Sequence, residues 1–250
     1  MLIDTHAHLN MLTNPEFEIA EARLSDVKEI IVPTAGVEDI EDVLKLAEND
    51  SDIYAALGVH PEYADDFDDE KAKTIIKKAH HNKVVAIGEI GLDYHYNSEN
   101  KSSQKKCFQI QLEIAKQLNL PVIIHDREAH FDTLEIIKAE KMEKVLFHCF
   151  SGSVEFMREC TKLGYKIALG GVVTFKNAKT IKEVALEIDL KDLMLETDCP
   201  YLAPHPFRGM ENGPKYIGFV AKEIAKIKNI PYETVAFQTT KNAKEFFNIL

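Results

Sequence analysis

The chain has 250 residues, 45% of them hydrophobic, so it can bury a core of its own as one large domain, and no apolar run nears the ~20 residues a membrane helix needs. With 30 basic against 41 acidic side chains the net charge is −11, which argues against broad, sequence-blind adhesion to a phosphate backbone, although bound divalent cations can supply positive charge locally. The first residues read as a strand rather than an export signal, and Cys107, Cys149, Cys160 and Cys199 show no Cys-x-x-Cys spacing; the expectation is reduced thiols in a cytoplasmic protein, with no membrane and no partner protein implied.

Eight short apolar runs read as strands: LIDTHAHL (2–9), EIIVPTA (29–35), IYAALGVH (53–60), VVAIGEI (84–90), PVIIHD (121–126), VLFHCF (145–150), YKIALGG (165–171) and LMLETD (193–198). Each is mostly apolar rather than strictly alternating, as expected of parallel strands covered on both faces. Helical stretches separate them. Asn14 and Pro15 offer a cap and a proline at the first helical position, and Ser153 offers a cap after the sixth strand. The acidic DDFDDE (65–70) reads as a solvated helix start, where carboxylates suit the positive end of the helix. From about 99 to 119, Phe108, Leu112, Ala115 and Leu118 share one helical face. Strand and helix alternating eight times, with no linker or repeat to mark a second domain, predict a single α/β domain over 1–250, a (β/α)8 TIM barrel. A doubly wound open sheet is the other fold compatible with the pattern.

Six potential metal ligands close those apolar runs: His6, His8, Glu89, His125, His148 and Asp198. Residues two apart on a strand face the same side, so His6 and His8 can grip one ion together. The other four come from distant segments, which a closed ring of strands would gather at the C-terminal strand ends. Glu89, flanked by Gly88 and Gly91, can bridge two cations through its two oxygens. Asp198 can be a ligand that also accepts a proton from water, which makes Asp198 and Glu89 the catalytic candidates, or it can cap a turn before Pro200. Four histidines with two carboxylates suit Zn²⁺ or Mn²⁺ better than Mg²⁺. The pattern reads as a metallohydrolase.

Candidate substrate contacts surround that set. His60 can hydrogen-bond a leaving oxygen or close the barrel by packing. Arg127 can hold a phosphate with two parallel hydrogen bonds, or pair with Glu128. Arg208 has the same two readings. Tyr94 can stack on a base or pack on the barrel top, and His205, between two prolines, can position substrate or stand exposed. Ser151 with Gly152 can cradle an anion or cap a helix, and Asn212 pins its loop. Cys149 and Cys199 are expected to point away from the ligands by strand alternation.

The landmarks IDTHAHL (3–9), GVHP (58–61), IGEIGLDY (87–94), PVIIHDRE (121–128), HCFSGS (148–153), ETDCPYLAP (196–204) and RGMENGP (208–214) run in order through nearly the whole chain, which resembles the TatD family of metal-dependent deoxyribonucleases. The resemblance implies a (β/α)8 barrel with two divalent metal ions (Zn, Mn or Mg). It gives His6, His8, Glu89 and Asp198 to one ion, and Glu89, His125 and His148 to the other. It implies phosphodiester hydrolysis, as a 3′-to-5′ exonuclease on single-stranded DNA and in some cases RNA; the alternative is ester or amide hydrolysis, such as aminoacyl-tRNA deacylation. Met210 and Glu211 stand where relatives often have basic residues, which is expected to weaken binding of a phosphate backbone at the mouth.

Overall fold

Eight parallel strands pair in chain order: β1 (Leu2–Asp4), β2 (Val27–Pro33), β3 (Ile53–Leu57), β4 (Val84–Asp93), β5 (Val122–Arg127), β6 (Val145–Phe147), β7 (Lys166–Leu169) and β8 (Leu193–Leu195). The computed structural model describes residues 1–96 and 99–249. After each strand a helix returns the chain: α1 (Pro15–Leu24), α2 (Ile40–Asn49), α3 (Asp69–Lys78), α4 (Lys101–Leu118), α5 (His130–Ala139), α6 (Val154–Lys162), α7 (Lys179–Glu187) and α8 (Ile217–Lys228). Hydrogen bonds join β8 back to β1. Thr5 donates from N and Oγ1 to Leu195 O at 3.1 and 3.0 Å, Asp198 N donates to His6 O at 2.9 Å, and His8 N donates to Cys199 O at 2.9 Å. The architecture is a (β/α)8 barrel. Among the described residues no helix is long and apolar enough to cross a membrane.

Local sequence accounts for the helix starts. The Asn14 side chain accepts from Phe17 N, with Pro15 at the first helical position, and Ser153 Oγ accepts from Phe156 N. Asp68 caps α3 by accepting from Lys71 N, and Asp69 and Glu70 occupy its first turn. Phe108, Leu112 and Ala115 of α4 are fully buried against the barrel, and Leu118 is half-buried at its end.

Strand alternation divides the core in two. One residue from every strand (Ile3, Ile31, Ala56, Ala86, Ile123, Leu146, Ala168 and Met194) joins an interior cluster, while Leu2, Ile30, Val32, Ile87, Ile124 and Phe147 belong to the larger layer that meets the helices. The interior cluster also contains Ala243, Phe246 and Phe247 of a ninth helix, α9 (Tyr232–Phe247). Asn242 Nδ2 donates to Leu190 O and Leu193 O, and Thr240 Oγ1 donates to Met1 O, so α9 sits under the N-terminal strand ends. The alternating pattern anticipates eight helices; α9 follows no strand of its own and plugs the barrel floor. That leaves the C-terminal ends as the open face.

Candidate metal centre

Glu89 lies inside β4, not at its end. Ile87 pairs with Val122 and Ile90 with Ile124, so β4 advances three residues while β5 advances two. The extra residue at Gly88–Glu89 is a bulge, which re-aims a side chain locally. Gly91 then has φ 151°, and a Cβ there would fall 1.9 Å from His125 O, so only glycine lets β4 run this close to β5. β1 ends at Asp4, earlier than the expected 2–9, because regular pairing stops as the chain enters the site. Beyond it the chain through His6 and His8 is held by a parallel bridge between Ala7 and Cys199 and by Ala7 N, which donates to Ile31 O at 3.0 Å. Both imidazoles therefore still face one side.

The six side chains converge. His6 Nε2 and His8 Nε2 are 3.2 Å apart, and stand 3.8 and 3.7 Å from Asp198 Oδ1. His8 Nε2 is 3.4 Å from Glu89 Oε1, and His6 Nε2 is 3.6 Å from Glu89 Oε2. On the other side, Glu89 Oε2 lies 2.9 Å from His148 Nε2 and 3.6 Å from His125 Nδ1, with those two nitrogens 3.3 Å apart. Ligand bonds of about 2.0–2.2 Å around a tetrahedral ion put neighbouring donor atoms about 3.3–3.6 Å apart. Most of these separations lie in or near that range. Glu89 belongs to both sets.

Electrostatics agree with a cation-binding role. Burial keeps His6, His8 and His148 neutral by lowering their pKa values, which leaves lone pairs to offer. Burial also disfavours charge on Glu89, but His6 and His148 outweigh it and hold the carboxylate well below its usual range. His125 is pushed up to about 9: burial opposes its charge, and bonds to Asp93 and Glu89 override it. A proton on His125 is thus stabilised where a metal cation would otherwise be. Asp198 lies well above the ordinary carboxylate range, through burial first and then the neighbouring charge of Glu89. The residues fit divalent cations.

Asp93, not singled out from sequence, organises one side. Its Oδ2 lies 3.0 Å from His125 Nε2, which leaves Nδ1 to face the centre, and its Oδ1 accepts from His95 N at 2.9 Å and Tyr96 N at 3.0 Å. These bonds outweigh burial and hold Asp93 down to about 2. Glu196, also not singled out, accepts from Cys149 N at 2.5 Å and stands 4.0 Å from His148 Nδ1. The signal existed for both: Asp93 is four residues past Glu89 and Glu196 two before Asp198, each in register with a ligand.

A cleft of about 650 Å³ opens above the centre, lined by His60, Arg127 and Ser151 among the expected substrate contacts, with Met11, Tyr63, Tyr96, Tyr201 and Leu202 at its sides. Tyr94, His205 and Arg208 do not line it. Tyr94 donates through its hydroxyl to Asp132 Oδ2 at 2.6 Å and carries Lys101 Nζ 4.1 Å above its ring, because β4 continues to Asp93 and turns the next side chain outward. His205 N donates to Thr174 Oγ1 at 2.8 Å, and the Arg208 guanidinium lies 3.9 Å over the Phe175 ring, so the proline-rich loop folds towards the segment after β7. Glu211 accepts from Thr13 Oγ1 at 2.9 Å, and neither it nor Met210 lines the cleft. Asn212 Nδ2 donates to Thr197 O and Tyr201 O at 2.8 and 2.6 Å and so pins its loop. Cys149 departs from expectation: β6 ends at Phe147, the backbone turns to φ 41° at Cys149, and strand alternation no longer applies, so its side chain reaches the cleft. Cys199 is buried away from it. His80, His81, His95 and His130 stand apart from the ligand set, with His81, His95 and His130 on Glu48, Glu128 and Asp126.

A family model described as TatD related DNase matches residues 3–248. The uncharacterized metal-dependent hydrolase YabD of Bacillus subtilis (strain 168) is 46% identical over the full length of both chains. The uncharacterized metal-dependent hydrolase YcfH of Escherichia coli (strain K12) is 35% identical over 99% of this chain and 96% of its own. The crystal structure of YJJV, a TatD homolog from Escherichia coli K12, superposes with a TM-score of 0.94 at 32% identity, covering 100% of this chain and 98% of that one. A phosphotriesterase homology protein from Escherichia coli, complexed with phosphate in its active site, shares the fold alone: TM-score 0.75 at 14% identity, over 98% of each chain.

Proposed function

This chain belongs to the TatD related DNase family and is a metal-dependent hydrolase, and from that premise we propose that it cleaves phosphodiester bonds at the 3′ ends of single-stranded DNA, and of RNA, with two divalent cations held across Glu89. The observation that carries the reading is that one carboxylate reaches both donor sets: Glu89 Oε1 lies 3.4 Å from His8 Nε2, and Oε2 lies 3.6 Å from His6 Nε2, 3.6 Å from His125 Nδ1 and 2.9 Å from His148 Nε2, on the floor of an open cleft. His6, His8 and Asp198 complete the first donor set and His125 and His148 the second. Cations bound there polarise the phosphoryl group and make the attacking water more acidic. Four imidazoles in the donor set favour Zn²⁺ or Mn²⁺ over Mg²⁺.

The protein's own groups then have separate tasks. Asp198 turns Oδ1 to His6 and His8, and its second oxygen can take a proton from the nucleophile. His60 Nδ1 accepts from Glu62 N at 3.2 Å, so the neutral ring carries its proton on Nε2. Burial, followed by the charge of His125, lowers its pKa to about 3 and keeps it neutral. It can therefore donate a hydrogen bond to a phosphoryl or leaving oxygen. Arg127, also in the cleft, supplies a planar guanidinium suited to a phosphate.

One observation favours ester or amide hydrolysis as a second reading: Arg127 is the only Lys or Arg among the described residues that line the cleft. A panel of oligonucleotides, simple phosphodiesters, carboxylic esters and aminoacylated RNA, assayed with Mn²⁺ or Zn²⁺, separates the two. The proposal expects turnover of diesters at least tenfold above that of carboxyl esters; the reverse order would favour the second reading.

A further inference from the structure

Three tyrosines with substantially exposed rings meet at this one cleft: Tyr63 at 46% exposure, Tyr96 at 71% and Tyr201 at 54%. They come from the segments after β3, β4 and β8, and each amide is bonded to the residue three positions before it. Tyr63 N donates to His60 O at 2.9 Å, Tyr96 N to Asp93 Oδ1 at 3.0 Å, and Tyr201 N to Asp198 O at 3.0 Å. Every ring thus stands three residues beyond a residue of the site and is tied to it by its own amide. Further contacts set the rings. The Arg127 guanidinium lies 4.5 Å over Tyr96, the Tyr201 ring is 6.4 Å from that of His8, and Asn212 Nδ2 donates to Tyr201 O. Tyr201 therefore stands beside the first donor set, and Tyr96, through Asp93 and Arg127, beside the second.

Resting on the nuclease reading, we propose that Tyr63, Tyr96 and Tyr201 form a rim of base-stacking platforms around the scissile phosphate, so that the cleft selects unpaired nucleotides without reading their sequence. Exposed apolar surface concentrated around one groove, here with Met11 and Leu202 beside the tyrosines, marks a ligand site rather than ordinary scattered exposure. Beyond the phosphate that the cations would hold, side-chain charge adds little affinity, since the chain carries −11 and Arg127 alone among the described Lys and Arg residues lines the cleft. Stacking needs no charge, and every base has a π-face to offer. A paired base keeps its stack within the duplex and cannot use the rim. The same logic gives a shallow dependence on salt, since few phosphate contacts release few counterions.

The test uses the ion-loaded full chain, Tyr96→Ala, Tyr201→Ala and the matching Phe variants. Substrates are a labelled single-stranded DNA, its RNA counterpart, and the same DNA with base-free residues at its last three 3′ positions. Each Ala variant is expected to raise KM on the normal strands by roughly 5- to 100-fold, with kcat changed less than about threefold and the Phe variants close to wild type. On the base-free strand, wild type and Ala variants should coincide. Unchanged KM in the Ala variants overturns the proposal, as does an equal loss on the base-free strand, which would mean a distorted loop. DNA and RNA responding differently would assign the rim to one of them. Should the wild type cleave no strand at all, the nuclease reading fails, and fluorescence anisotropy decides the rim separately. Binding weakened by the Ala variants and by base removal would sustain it; absence of binding would end it.

Discussion

Asp93 couples two parts of the site through one buried carboxylate. Its Oδ2 lies on His125 Nε2 and its Oδ1 accepts from the amide of Tyr96, so the tilt of a metal ligand and the placement of a rim tyrosine share one anchor. Removing such a ligand-orienting partner commonly weakens ion affinity about 10- to 100-fold. Asp93→Asn should lose affinity for Zn²⁺ or Mn²⁺ in that range by competition with a calibrated chelator, and an unchanged affinity would deny Asp93 this role. At this scale the convergence of the six candidate donors was legible in the sequence because each follows an apolar stretch, and hydrophobicity shows where a strand approaches the open end, although Glu89 and His125 lie inside β4 and β5. The rim tyrosines were not, since a lone Tyr in a loop looks the same whether it faces a cleft or solvent. Tyr94 and Tyr96 show the difficulty, as only the way the chain leaves β4 decides that the second, not the first, lines the cleft.

The seam between β1 and β8 is the least regular junction of the barrel, and side chains help to close it. Asp4, fully buried, accepts from Thr197 N at 2.9 Å and from Thr197 Oγ1 at 2.5 Å. Burial outweighs those bonds and raises its pKa from 3.8 to about 7. Between these values the folded chain binds more protons at Asp4 than the unfolded chain, so this group's contribution to stability is present below about pH 4 and is lost as pH rises to about 7. Asp4→Asn keeps an acceptor for Thr197 and removes the titration. In chelator, the urea midpoint of the variant should therefore gain on that of the wild type between pH 4.5 and pH 7.5; a pH-independent difference would contradict the raised pKa. Apolar runs located all eight strands, yet β1, β3, β6, β7 and β8 proved shorter than expected. At β1, β6 and β8 the chain leaves the ladder just before the candidate ligands His6 and His8, His148 and Asp198. α9 is not apparent from the strand pattern because it pairs with no strand and its buried face is partly polar: Thr239 donates back to Val235 O within the helix, and Thr240 and Asn242 satisfy backbone carbonyls at the barrel floor.

Taken whole, the molecule is an acidic barrel that buries a small cluster of carboxylates at its open end. Glu89, Asp198 and Glu196 lie together there, and their combined charge pushes Asp198 and Glu196 well above the usual carboxylate range, with burial as the larger cause for each. Divalent cations held by these residues would relieve that repulsion and supply the positive charge that a net −11 otherwise denies the proposed phosphodiester substrate. The most direct test follows single-stranded DNA, labelled at its 5′ end, with chelated enzyme, then with Mg²⁺, Mn²⁺ or Zn²⁺ restored, beside Asp198→Asn under the same conditions. The account predicts cation-dependent shortening from the 3′ end, strongest with Mn²⁺ or Zn²⁺ and reduced at least a hundredfold in the variant. Cleavage that survives chelation, or that Asp198→Asn retains at the wild-type rate, would contradict it.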